Sequence, residues 1–243
     1  MQWRDEAIIL AGRRFGESGL ILDVLTATKG RRSGLIYGGA SRKKRPQFEP
    51  GNTIDLAWTG RLEEQLGRFE VAEVSTSRAS RHLDDANALA AITTVTSILR
   101  GAVDEGDDAG SALFSPTTLI LDTLDNWPVW PALYARWELG LLSALGFGLD
   151  LDRCALSGAN DGLTHVSPNT GRAVKGSEAE DYVDRLFPLP GFLIDSSAPS
   201  LSDDVANALD LTGYFLERRL FAAVHKPLPE SRQRLITKIL ATS

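Results

Sequence analysis

Residues 53–59 read Thr-Ile-Asp-Leu-Ala-Trp-Thr. Ile54, Leu56 and Trp58 fall on one side of a two-residue period, Asp55 and Thr59 on the other. Alternation of this kind, with β-branched and aromatic residues on the apolar side, predicts a β-strand with one buried face. Downstream, residues 67–74 repeat the pattern, with Phe69 and Val71 set against Arg68 and Glu70. Upstream, residues 7–11, 20–25 and 33–37 are three more short, mainly apolar runs. The breaks hold Gly16, Gly19, Gly30, Gly38, Gly39, Pro46, Pro50, Gly51 and Gly60, all turn formers. Five short strands at the start of the chain suggest a small closed barrel. An oligonucleotide-binding (OB) β-barrel has that strand count and size; a small SH3-like barrel or an open sheet also fits the pattern.

From about Leu83 the period becomes helical. Leu89, Ile92, Val95, Ile98 and Leu99 recur at three- and four-residue steps and define one apolar face. Residues 101–110, acidic and rich in glycine, read as a loop. Ser115-Pro116 is the expected start of a second helix, with Ser115 as its cap and an end near Asn126. A third helix starts at Pro131, buries Leu133, Trp137, Leu141, Leu142 and Leu145, and stops at Gly146. Residues 150–175 look irregular, 177–187 form a short helix, and 201–225 and 229–240 are longer helices. The expected fold class is α+β and multidomain. A five-stranded OB-type barrel (1–80) precedes an all-α helical domain (81–243) with a short irregular insertion at 150–176.

The chain has 243 residues and a formal net charge of −6. Its halves differ in sign. Residues 1–80 carry 13 Lys+Arg and 10 Asp+Glu, while residues 81–243 carry 13 and 22. A basic half suits a polyanion; an acidic half suits packing or protein contacts. Residues 29–45, KGRRSGLIYGGASRKKR, concentrate the positive charge: Lys29, Arg31, Arg32, Arg42, Lys43, Lys44 and Arg45, with no acid among them. A phosphate backbone is the natural partner for such a run, and a solvated loop is the plainer reading. Arg13 and Arg14 extend the track. Tyr37 ends its strand beside Gly38-Gly39 and is a candidate for stacking on a base. Phe15 is expected in the core.

Signals for catalysis are missing. There is no phosphate-binding glycine loop, no HExxH and no GxSxG. His82, His165 and His225 are scattered without ligand spacing and read as surface or helix-end residues. Acidic neighbours such as Asp84-Asp85 fit loops and helix starts. Cys154-Ala155-Leu156-Ser157 would be half of a zinc knuckle only with cysteine at 157; serine is a poor zinc ligand. Cys154, the sole cysteine, is expected as a free, buried thiol. The N-terminus lacks the layout of a signal peptide, and no apolar run is long enough to span a bilayer. The expected location is cytoplasmic, with no membrane partner.

Taken in order, these features resemble one family. The N-terminal Glu6-Ala7-Ile8-Ile9-Leu10, then Arg14-Phe15-Gly16-Glu17-Ser18, the run 20–28 with Lys29-Gly30-Arg31, Gly38-Gly39-Ala40 with Arg42 to Arg45, and Phe48-Glu49-Pro50-Gly51 carry the likeness. It continues in Trp137-Glu138-Leu139, the stretch 145–154 ending in Asp152-Arg153-Cys154, Val166-Ser167-Pro168, Gly171-Arg172-Ala173-Val174 and Ser231-Arg232. Together they resemble the bacterial recombination mediator family RecO, over nearly the whole chain. The resemblance implies an OB barrel, a helical domain and, in many members, a small zinc module. It implies DNA repair in the RecF pathway without catalytic turnover: binding of single- and double-stranded DNA, annealing of complementary strands and cooperation with RecR. It also implies help in loading RecA onto DNA coated with single-stranded-DNA-binding protein (SSB), whose acidic, apolar C-terminal tail is a further contact, and a place at the nucleoid. Arg218, Arg219 and Lys226 are candidates for that tail's carboxylates. On this pattern Arg13, Arg14, Lys29, Arg31, Arg32, Tyr37, Arg42, Lys43, Lys44 and Arg45 form the expected DNA-binding set. Ser157 stands where relatives place a second cysteine, so no zinc or other cofactor is expected. The alternative is a non-catalytic adaptor whose barrel binds a protein or RNA.

Overall fold

The computed structural model describes residues 1–62, 66–195 and 197–242. Strands β1 (Gln2–Phe15), β2 (Gly19–Thr26), β3 (Gly30–Ile36), β4 (Thr53–Thr59) and β5 (Gly67–Thr76) close a barrel in the order β1-β2-β3-β5-β4. β1 is long because it serves two neighbours. Its first half pairs with β4, from Gln2↔Thr59 to Ile8↔Thr53. Its second half pairs with β2, from Ala7↔Thr26 to Phe15↔Gly19, with a bulge between Ile9 and Ala11. A bulge adds local twist and bends the strand, which lets one strand turn the barrel's corner. β3 and β5 close the barrel through a short parallel pairing, Gly34↔Gly67 and Leu35↔Arg68. This closed order is the OB arrangement, and it removes the SH3-like and open-sheet alternatives.

The alternation seen in the sequence fills the barrel. Leu20, Leu22 and Val24 of β2, Ile54, Leu56 and Trp58 of β4, and Phe69 of β5 are buried together. Trp3 stacks on Trp58, with ring centroids 5.6 Å apart. Phe48, at the end of a 3₁₀ turn over Arg45–Phe48, joins the same core and anchors the long β3–β4 loop.

The chain forms two compact units. The first takes Met1–Asp125 with Pro229–Leu235, and the second takes Asn126–Leu228 and the chain from Ile236. Helices α1 (Arg78–Arg81), α2 (Ala86–Ala102) and α3 (Phe114–Asp122) therefore belong to the barrel's own unit. Asp85 caps α2, its carboxylate accepting from the backbone N–H groups of Asn87 and Ala88. Ala91, Ile92, Val95, Ile98 and Leu99 line the buried face of α2. α3 departs from expectation. It begins at Phe114, ends at Asp122, and Ser115 is not its cap. The 3₁₀ segment Asp108–Leu113 runs straight into it, so Leu113 is already helical and leaves no extended residue to act as a cap. Arg78 is 1% exposed. Its guanidinium donates to Asp122, to the Gly51 carbonyl and to the Thr53 hydroxyl.

In the second unit, α4 (Trp130–Ala144) carries a continuous ring stack, Trp127–Trp130–Tyr134–Trp137, at centroid steps of 5.4, 5.0 and 5.8 Å. The four- and three-residue steps put Trp130, Tyr134 and Trp137 on one line of α4, and Trp127 extends the stack from the turn before it. Gly146, at φ +84°, ends the helix as expected. Its N–H bonds the Ser143 carbonyl and that of Phe147 bonds Leu142, the paired closure that a left-handed residue allows. The stretch expected to be irregular is ordered instead. β6 (Leu163–Val166), β7 (Ala173–Lys175) and β8 (Phe187–Pro188) form a small sheet in the order β7-β6-β8. One-turn α5 (Gly176–Ala179) and the 3₁₀ segment Glu180–Arg185 fill the place of the expected helix at 177–187. Strands this short are too brief to show a period, and β8 is defined only by its pairing back to β6. α6 (Ser202–Phe215) passes into a π turn at Leu216–Phe221, and α7 (Glu230–Thr242) follows.

Candidate nucleic-acid interface

The basic stretch is divided between the two ends of β3. Lys29 lies in the turn before the strand and Tyr37 just after it, roughly 26 Å apart at ~3.3 Å per residue. At the first end, the two arginines are turned to internal partners. Arg31 donates to the Val103 carbonyl at 2.9 Å and meets Asp23 at 3.5 Å. Arg32 is 7% exposed and donates to the Arg31 carbonyl. Asp23 also accepts from the Ser33 hydroxyl at 2.6 Å and from Arg100 at 2.8 Å. Burial alone would raise the Asp23 carboxyl; these donors outweigh it and hold it below its ordinary range.

The acidic loop after α2 completes this end. β3 pairs with β5 only near Leu35, so the free edge of its first half needs other partners. The Gly106 N–H bonds the Arg31 carbonyl at 3.0 Å. The Glu105 carboxylate accepts from the Ser33 N–H at 2.7 Å. Gly30, at φ +63°, lies so close to Asp107 that a Cβ would sit 2.1 Å from its carbonyl oxygen. Arg31 and Arg32, expected on the phosphate track, thus sit beneath a carboxylate-bearing loop. Sequence reading missed this because the acids come some 70 positions later.

The second end gathers the exposed groups. Pairing aligns Arg13 with Ile21, Ile21 with Leu35, and Leu35 with Arg68. These four form one row across four strands, opposite in parity to the core residues Leu20, Leu22, Ile36 and Phe69; within it Ile21 is buried and Arg13 and Arg68 are exposed. The neighbouring row holds Phe15, paired with Gly19, and Tyr37, which follows Ile36. Phe15 is not in the core: it is 50% exposed, and Tyr37 is 64% exposed. The β1–β2 hairpin ends at Phe15, beyond the last core position, so its ring turns outward. Arg14, paired with Leu20 at the rim, is exposed. Arg42, Lys43, Lys44 and Arg45 are exposed in a run of turns, held by the Ala40 N–H to the Ser18 carbonyl and by Phe48. Arg68, which sequence reading did not single out, stacks over Tyr37 with its guanidinium carbon 5.2 Å from the ring centroid. Only the parallel closure of the barrel brings the two together.

One groove elsewhere on the barrel has the opposite sign. This groove, of about 520 Å³ between β1, β4 and β5, is lined by Asp5, Glu6, Asp55 and Glu70 with a single arginine, Arg4. A polyanion is therefore drawn to the Arg13–Tyr37–Arg45 end and repelled from the groove.

In the second unit, Cys154 is a buried thiol beside Val174 and Ala179. It donates to the Glu178 carboxylate at 3.2 Å and accepts from the N–H groups of Lys175 and Leu156. Burial pushes the thiol up; the N–H groups around sulfur outweigh it and lower its titration. No group of three or more His, Cys, Asp or Glu is arranged to hold a metal ion among the described residues. One thiol and one carboxylate do not fit a closed four-ligand zinc site. His82 is buried at the end of α1, with Nδ1 3.7 Å from Asp125.

The second unit has a groove of about 530 Å³, lined by Leu139, Leu149, Leu151, Leu193 and Ile194 together with Ser143, Asp152 and Arg136. Arg136 donates to the Phe192 carbonyl at 2.7 Å. Arg218, Arg219 and Lys226 do not line it. Arg219 lies over the Phe215 ring and donates to the Asn169 carbonyl. No helix among the described residues is long and apolar enough to cross a membrane.

Comparison with known proteins agrees with this architecture. Residues 1–78 match the family model described as Recombination protein O N terminal, and residues 83–227 match Recombination protein O C terminal. The chain is 69% identical over 239 residues to the DNA repair protein RecO of Hyphomonas neptunium, covering 98% of each chain. It is 43% identical over 237 residues to the protein of that name from Cereibacter sphaeroides, covering 97% of this chain and 98% of the relative. With that of Rhodospirillum centenum it shares 42% over 240 residues, 98% of this chain and 94% of the relative.

Proposed function

The chain belongs to the RecO family of DNA repair proteins, and from that premise we propose that it is a recombination mediator of the RecF pathway that works by binding, with no covalent step. The observation that carries the reading is the cationic end of the barrel. Arg13, Arg14, Arg42, Lys43, Lys44 and Arg45 surround Tyr37 there, on an OB barrel whose other groove is acidic. Phosphate contacts of this kind position a strand without reading its sequence. They take single- and double-stranded DNA alike. A cationic surface also lowers the repulsion between two complementary strands and raises their local concentration, which suffices for annealing. Lys29, at the far end of β3, would touch a longer strand. Arg31 and Arg32 act in this reading as supports for β3.

Cooperation with RecR and the loading of RecA onto SSB-coated DNA follow from the same family reading. The groove beside Arg136 offers the acidic, apolar SSB tail leucine side chains together with a guanidinium, which Arg218, Arg219 and Lys226 do not, although Asp152 in its lining opposes the tail's carboxylates. We place the protein in the cytoplasm at the nucleoid, and we propose that the lobe around Cys154 holds together without zinc.

The test is fluorescence anisotropy of a labelled single-stranded oligonucleotide across a salt series. Affinity should fall steeply and linearly on a log–log plot as salt rises. Replacing Arg42, Lys43, Lys44 and Arg45 together by alanine should weaken binding and flatten the slope, with folding intact. Unchanged binding in that variant would remove the loop from the interface. No binding by the parent protein at low salt would favour a protein or RNA adaptor.

A further inference from the structure

We infer that Phe15 and Tyr37, with Arg68 behind Tyr37, form a stacking platform for unpaired nucleobases, and that this platform makes the barrel prefer single-stranded to duplex DNA. The inference rests on the DNA-binding reading above and adds a selectivity that the cations alone do not supply.

Two large rings stand exposed at one end of a barrel that buries most of its other apolar side chains. Phe15 is paired with Gly19 at the end of the β1–β2 hairpin, and Tyr37 follows Ile36 in the turn after β3. Gly19 itself is buried, and a methyl of Leu35 lies 3.2 Å from where its Cβ would be, so an apolar side chain covers the backbone there. Arg68 is stacked on Tyr37 and is tied to Glu70 by a 2.9 Å ion pair. The guanidinium fixes the ring from one side while most of the ring remains open. Arg13 stands in the adjacent row, and the Arg42–Arg45 run begins a few residues beyond Tyr37. Rings for bases and cations for phosphates therefore share one end of the barrel. That is the chemistry of a single nucleic-acid strand, whose bases have free faces. Duplex bases have both faces covered by their neighbours. A duplex can use the cations and not the rings.

The test compares one labelled oligonucleotide with its duplex of equal length. The proteins are the parent, the double variant Phe15→Leu/Tyr37→Leu, the variant Arg68→Lys, and the four-alanine loop variant. Both rings are exposed, so leucine leaves the core untouched, and circular dichroism checks this. The double variant should lose about tenfold or more in single-strand affinity, less than twofold in duplex affinity, and keep its salt slope. Arg68→Lys keeps the charge and loses the planar stack, so it should lose a few-fold on the single strand alone. A 2-aminopurine base in the single strand should be quenched by the parent protein and not by the double variant. The platform is overturned if the double variant loses both substrates in parallel, or loses neither, while the loop variant still weakens both. If the parent binds neither DNA, the DNA-binding reading itself fails and the platform falls with it.

Discussion

The guanidinium carbon of Arg68 lies 5.2 Å from the centre of the Tyr37 ring, and the parallel pair Leu35↔Arg68 puts it there. The same guanidinium is held by Glu70 at 2.9 Å, with both side chains more than half exposed. Glu70 is thus an anion paired directly with a cation of this surface. Glu70→Gln should tighten single-strand binding about two- to threefold at low salt, and the gain should vanish at high salt, because exposed charges are screened. A loss of affinity would mean that Glu70 is needed to orient Arg68.

Asp23 ties β2 to β3 and α2 through Ser33, Arg31 and Arg100. Its carboxyl titrates lower in the folded chain than in the unfolded one. The stability it contributes is then present above the unfolded value and is lost as pH falls through the folded value. Asp23→Asn should cost about 2 kcal/mol at pH 7. The gap between variant and parent should close below about pH 4. Denaturant titrations at both pH values measure it.

Arg78 is a buried cation whose partners are a carboxylate, a carbonyl and a hydroxyl. Arg78→Ala should destabilise the barrel's unit by about 3 kcal/mol, since it strands polar atoms that Arg78 satisfies. Arg78→Lys should recover little, because an ammonium cannot reproduce the guanidinium's fixed fork of donors. The urea midpoint for this unit reads both.

Cys154 is 1% exposed and hydrogen-bonded on all sides. A thiol reagent should label it slowly in the native protein and at once in denaturant. Cys154→Ala should cost about 1–2 kcal/mol. Metal analysis of the purified protein should find well under one zinc per chain, and stoichiometric zinc would refute the zinc-free lobe.

Much of this was legible in the chain itself. The two-residue alternation at 53–59 and 67–74 and the glycines between strands specify a small β unit, since strand faces and turns are local properties. The helical period at 89–99 and the stop at Gly146 are local in the same way. So is the concentration of charge between Lys29 and Arg45. The closed strand order, the pairing of β8 onto the 163–175 hairpin and the fate of individual cations are not local. Arg31 and Arg42 look alike in a sequence. One meets Asp23 and the Val103 carbonyl and the other meets water, because the free edge of β3 had to find hydrogen-bond partners and found them in the acidic loop after α2. Phe15 joined the candidate site because its hairpin ends beyond the last core position, and Arg68 because the parallel closure of the barrel sets it against Tyr37. Sequence determined which elements form and where the charge lies; barrel closure, by choosing neighbours across long stretches of chain, decided which charges and rings remain available to a ligand.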